Sequence, residues 1–364
     1  MKKWLIRLML VACLPCQTHA IDVYFVNPGY DKSGFWFNVS QTMLAAAKQL
    51  NFTVHINYAN REWPQMRENA QAMIAAAKAG DYLILVNEHQ QAADLLKQAN
   101  DKELKVLMLL NTLTQEQENA IGRPILTVKN WIGSLTPDNR QAGREMAQAL
   151  FNKAQQLKPD ASTYKLLTLI GDHSTPASIE RTQGLDDMLA QSPQVSEARR
   201  FTVNWSYEQA YSKVDTWLSV GGAMDLVWAA NDPIAFGAID AANTHGLIAG
   251  KDFLVVGLNW SADALKKVEQ RAMVLTHGGH FLAGAWSMVL IHDHHAGMGL
   301  PAEAPHFRFP MAAITAEAPE ALKQLIHTRN WSALDYRRFT KSGQTAAAND
   351  YDFGLNAIIR ATVQ

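Results

Sequence analysis

After residue 20 the chain alternates short, continuous apolar runs with stretches whose apolar residues recur every three or four positions. The runs are VYFV (23–26), FTVHINY (52–58), YLILV (82–86), VLMLL (106–110), YKLLTLIG (164–171), MDLVWAA (224–230) and FLVVGL (253–258). Helical spacing lies between them, near 35–50, 64–79 and 90–99 in the first part of the chain. Strands that are apolar on both faces and separated by helices predict an α/β fold with parallel sheets covered on both sides. No low-complexity segment or short repeat interrupts the pattern.

The residues that follow these runs share a character. Asn27, Asn87, Asn111, Asn231 and Asn259 each end a run, and Asp172 ends a sixth. Amides and carboxylates at such positions ordinarily start turns and cap helices. Six at equivalent places suggest a polar rim, because open α/β sheets bind ligands outside the carboxyl ends of their strands. In VWAANDPIAFGAIDA (227–241), Asp232 is expected to cap a helix whose first residue is Pro233. Ile234, Ala235, Ala238, Ile239 and Ala242 would form its inward face, and Gly246 would end it. Asn231 would then be free to donate and accept toward an uncharged, hydroxyl-rich ligand.

Composition changes this picture little. The 364 residues are 48% hydrophobic and 18% charged, with a formal net charge of −1, which gives no sign of a nucleic-acid partner. The first twenty residues differ: a basic start (MKKWLIR), a short apolar run (LMLVACL) and THA before Ile21 predict a cleaved secretory signal peptide over 1–20. Its apolar run is far shorter than the about 20 residues a membrane span needs. Removal leaves 30 Lys and Arg against 34 Asp and Glu, a formal charge of −4, and a periplasmic location is expected. Both cysteines, Cys13 and Cys16, fall in the leader, so the mature chain would carry no disulfide and no thiolate. LVAC (10–13) also resembles a lipoprotein box that would lipidate Cys13, a lesser alternative because Arg7 breaks the preceding apolar run.

Five ordered blocks resemble the type I periplasmic binding proteins, the sugar-binding group that includes ribose- and galactose-binding proteins. They are SGFWFNVSQTMLAAAKQL (33–50), LTPDNRQAGREMAQAL (135–150), STPASIERTQGLDDML (174–189), VWAANDPIAFGAIDAANTHG (227–246) and LVVGLNWSADALKKVEQRAMVLT (254–276). The resemblance implies two similar lobes, each a parallel sheet flanked by helices, joined by a three-crossover hinge with the ligand cleft between them. It places crossovers near 134–137, 275–279 and 309–313. Lobe one would hold 21–135 plus 277–310, lobe two 136–276 plus 311–340, and a tail 341–364.

The same resemblance carries ligand contacts to Phe35 and Trp36 at the start of the first helix, and to Asp138, Arg181, Trp205 and Asn231. Periodicity alone would give Trp36 to the core stripe with Val39, Met43, Ala47 and Leu50. Asn111 and Asn259 stand where the family usually has aspartates, which weakens bidentate acceptance from sugar hydroxyls at two points. His277, with His280, stands where a hinge glutamine is expected, and could make closure sensitive to pH. His292 and His295 have helical spacing but no matched third ligand, so no metal is expected. No cofactor is expected, and no motif for a catalytic nucleophile or phosphate loop is present, so the chain does not read as an enzyme.

The resemblance implies a monomeric periplasmic solute-binding protein that closes on a small polar ligand, a sugar or sugar derivative, and hands it to an ABC-type permease. The alternative is a periplasmic sensor that docks on a sensor kinase or chemoreceptor. A nucleic-acid partner is not expected.

Overall fold

The computed structural model describes residues 21–343 and 351–362. The expected leader, with Cys13 and Cys16, lies outside them. The chain begins β1 (Ile21–Asn27), α1 (Phe35–Leu50), β2 (Phe52–Tyr58), α2 (Trp63–Ala76), β3 (Tyr82–Leu85), α3 (Ala92–Asp101), β4 (Lys105–Leu109), α4 (Gln115–Ile121) and β5 (Trp131–Pro137). It continues α5 (Asn139–Leu157), β6 (Tyr164–Ile170), α6 (Pro176–Leu189), β7 (Val195–Thr202), α7 (Tyr207–Ser219), β8 (Leu226–Ala229), α8 (Asp232–Thr244), β9 (Leu254–Leu258), α9 (Ala262–Glu269) and β10 (Leu275–Gly278). It ends α10 (Ala283–His295), β11 (His306–Phe309), β12 (Ala312–Ile314), α11 (Glu320–Thr328) and α12 (Leu355–Ala361).

Two six-stranded sheets result, in the orders β11-β5-β4-β3-β1-β2 and β12-β10-β9-β8-β6-β7. All pairings are parallel except β10 with β12. The chain passes from one sheet to the other three times: after Pro137, between Gly278 and Ala283, and at Pro310–Met311. Each sheet carries its own core, one around Phe25, Leu107 and Trp286, the other around Leu167, Trp228 and Val255.

Burial explains which strands the apolar pattern reveals. The inner strands β3, β8 and β9 are buried at every position, so they read as unbroken apolar runs. The edge strands β2 and β7 alternate between buried and more exposed positions. In β7, VSEARRFT, only Val195 is buried while Glu197 and Arg199 are exposed, and the strand was not anticipated from the apolar runs. Nor were β5 (WIGSLTP) and β10 (LTHG), where Gly, Ser, Thr and His dilute the pattern.

Strand β12 joins the second sheet, as the grouping of 311–340 with the second lobe expected, but the assignment of 331–340 to that lobe and of a separate tail after it needs correction. Residues from 331–339 and 351–361 pack into the first core. Trp286 on α10 meets Phe353 face to face, with ring centroids 4.6 Å apart and planes 5° apart, and Phe339 lies 4.5 Å away. Gln49 of α1 clamps the same segment, donating to the Leu334 carbonyl and accepting from the Tyr336 amide. Fully buried Asp293 accepts from the Lys341 amide at 2.9 Å. Apolar and aromatic residues so far along the chain belong where they can bury area, and α1 and α10 offer that surface.

Phe353 is 2% exposed. Phe353→Ala is expected to destabilise the protein by about 3–5 kcal/mol, read as a lower urea midpoint at unchanged slope.

Candidate ligand site between the lobes

The second lobe's half of the site is built around Arg181. Helices α5 and α6 cross so closely that a Cβ at Gly143 would lie 2.0 Å from the Arg181 carbonyl oxygen. Only glycine permits that approach, and it brings the Arg181 side chain under the strand tips. The guanidinium, 3% exposed, donates from Nε to Asn139 Oδ1 and from Nη1 to the Ala230 carbonyl, both at 3.0 Å. Its Nη2 lies 3.4 Å from His280 Nε2. Burial lowers its pKa to about 10, against the pull of Glu180 and Asp232, so it stays cationic at neutral pH.

Trp205 covers this cation, with the guanidinium carbon 5.6 Å from the ring centroid. Trp205 has a left-handed backbone, φ 61°, and its ring rests on Gly171, where a Cβ would come within 2.3 Å of it. The indole N–H donates to Asp172. The Asp172 carboxylate also accepts from the Ser174 and Thr175 amides at 2.7 Å each. Burial raises its pKa, but these hydrogen bonds outweigh burial and leave it below the ordinary value.

From the first lobe, Phe35 stacks on His280 with centroids 4.4 Å apart, and meets Trp36 edge-on at 5.2 Å. Trp36 is half-buried, packs against the first core and lies over Gly29. Asn111, at the tip of β4, donates to Glu88 Oε1 at 3.0 Å. Glu88 is 3% exposed, and burial pushes its pKa up despite Arg61 at 3.7 Å. Asp172 of the other lobe raises it slightly further.

The other expected contacts have local partners. The expected roles of Asn231 and Asp232 are exchanged. Asn231 Oδ1 accepts from the Ile234 amide at 2.9 Å and is the cap. Asp232 is the first helical residue, and it accepts from Ser261 and Thr276, tying α8 to the neighbouring strand ends. Asp138 caps α5 through the Gln141 amide. His277 is fully buried, with Nε2 2.7 Å from Glu145 Oε2 on α5. Half-buried Asn259 pairs its backbone amide with the His277 carbonyl, and its side chain makes no hydrogen bond among the described residues. Asn27 and Asn87 are also consumed locally, by Ser40 and by Gln117 and Thr112. Glu88 and Asn139 were not anticipated. Each adjoins a residue that sequence had marked, Asn87 and Asp138. Among the described residues no group of three or more His, Cys, Asp and Glu is placed to hold a metal.

Phe35, His280, Arg181, Trp205 and Asp172 thus form one continuous chain of contacts from first lobe to second. His280, 4% exposed, sits in the short turn just after the chain crosses from β10. Burial, then Arg181 and His277, hold its pKa well below 6.5. His277 is lowered too, by burial, with Glu145 opposing. Below pH 6.5 the unfolded chain therefore binds protons that the native site refuses, so stability is full above that value and is lost on acidification. The thermal midpoint should fall between about pH 7.5 and about pH 5.5, and the fall should be shallower in His280→Phe, which keeps a ring against Phe35.

A family profile described as periplasmic binding protein domain matches residues 23–293. A solved periplasmic sugar-binding protein from Pseudomonas fluorescens is 30% identical, with a TM-score of 0.82 over 93% of this chain and 100% of that one. A xylitol-binding protein of Mycolicibacterium smegmatis is 27% identical over 63% of this chain and 62% of its own length. The ribose import binding protein of Bacillus subtilis is 28% identical over 44% and 51%. The match thus spans about three fifths and about half of these two relatives. With two mostly parallel sheets and three crossings between them, the chain belongs to the periplasmic binding protein family.

Proposed function

We propose that the chain is a monomeric periplasmic solute-binding protein that closes on a small polyhydroxylated ligand, a sugar or sugar derivative, and delivers it to an ABC-type permease. It acts by binding, not catalysis, as the relatives' names describe for them. The observation that carries the reading is the contact chain through Arg181, which joins the lobes at the strand tips where such folds hold ligands. Phe35, Trp36 and Trp205 would supply apolar walls against sugar rings. Asn111, Arg181 and Asn259 would supply directional hydrogen bonds, with Asp138, Asn231 and His277 holding the backbone around them. Ligand that touches both lobes favours the closed arrangement by its differential affinity.

Thermal unfolding of the purified chain against pentoses, hexoses, furanoses and polyols tests this. A ligand at a hundredfold excess over its dissociation constant stabilises by about 2.7 kcal/mol, so a binder should be plain. Arg181→Lys should weaken that binder at least about tenfold, because an ammonium cannot reproduce the fork that reaches Asn139 and Ala230 while lying on Trp205. No shift with any sugar or polyol would reject the reading. Co-purification from membranes with a permease would support delivery, and recovery of a sensor kinase or chemoreceptor instead would replace it.

A further inference from the structure

We infer that Glu88 is the ligand-accepting carboxylate of the first lobe, taking hydrogen bonds from two adjacent hydroxyls of a polyol, and that Asn111 serves to hold it. The inference rests on the reading of the cleft as a polyol site. Position 111 carries an amide, and its donor reaches Glu88 Oε1 at 3.0 Å. An aspartate there would set a second carboxylate against Glu88 and force one of the two to take up a proton, whereas the amide at 111 donates to an ionised acid at 88, so they form a matched pair.

Glu88 has an oxygen to spare. Oε2 is buried without a hydrogen-bond partner, and Arg61 approaches it only to 3.7 Å while lying 5.8 Å over the Trp63 ring. A buried carboxylate oxygen left bare is costly unless something donates to it. The backbone around it is strained in the same direction. Asn60, Arg61, His89 and Gln90 all have left-handed φ, between 47° and 65°, in the two loops that flank Glu88. Strain of this kind gathers where a side chain must be presented to a ligand. Trp63 and His89, with ring centroids 3.8 Å apart, close the outer side. Asp172 of the second lobe already has its hydrogen bonds from Ser174, Thr175 and Trp205, so of these two carboxylates Glu88 is the one with capacity left.

The test uses isothermal titration of the purified chain with D-ribose, D-apiose, xylitol and myo-inositol, then with monodeoxy analogues of whichever binds. Glu88→Gln should weaken the parent compound at least about tenfold, and the unliganded thermal midpoint should hold or rise, since a buried charge is removed. One deoxy analogue should bind poorly to the native protein, and the gap between it and the parent should shrink in Glu88→Gln. A purely structural Glu88 would weaken parent and analogues alike. Asn111→Ala, which unseats Glu88, should show the same narrowed gap, and it serves if Glu88→Gln fails to fold. Full affinity in Glu88→Gln, or an equal loss for every analogue, overturns the inference while leaving the polyol reading intact. Failure of the native protein to bind any of the four overturns the polyol reading, and this inference with it.

Discussion

The structure depends first on a cation that is almost wholly out of water. Moving a guanidinium from water into a protein interior costs several kcal/mol unless the surroundings replace its hydration. Around Arg181 that replacement is made of neutral groups: the Asn139 amide, the Ala230 carbonyl, a histidine ring and an indole face. Among the described residues no carboxylate is hydrogen-bonded to it, so its charge is solvated but not cancelled. A site of this kind retains electrostatic reach toward whatever enters. It also requires each neighbour to keep its position, because losing one leaves a buried donor unpaired.

Much of the second lobe reads as support for that requirement. Gly143 lets α5 and α6 approach until the Arg181 backbone is fixed, and Gly171 lets the Trp205 ring lie flat at the end of β6. Asp172 holds the indole and is itself held by two backbone amides. Asn231 caps α8 and Asp232 ties it to Thr276 of β10, which keeps the Ala230 carbonyl aimed. The first lobe meets this assembly through aromatic contact at Phe35 and His280. Stacking tolerates small sliding, whereas the hydrogen bonds within the second lobe do not, so a change in the angle between lobes would be taken up at the His280 contact.

The return of the chain end to the first lobe serves a different purpose. A helix pair such as α1 and α10 has an outer face, and here Tyr336, Phe339 and Phe353 from near the chain end cover it. The segment is fastened at polar points, by Gln49 and by buried Asp293, that leave its register no freedom. It thickens one lobe.

The sequence by itself determined the fold class, because inner strands buried on both faces must be apolar at every position, and that signal survives without any knowledge of contacts. The family resemblance also marked Phe35 and Arg181 within its ordered blocks, and Trp205 outside them, as candidate site residues. The sequence could not decide which of two adjacent polar residues turns inward. Asn231 and Asp232 were exchanged in role, and Glu88 beside Asn87, like Asn139 beside Asp138, went unnoticed, since local propensity treats such neighbours as equivalent caps. Edge strand β7 was lost because one face meets water, and the home of the chain end was lost because its partners lie far away in sequence. Only tertiary structure fixed these points. A polar side chain's role depends on which donors and acceptors reach it, and those come from strands and helices that the chain brings together only on folding.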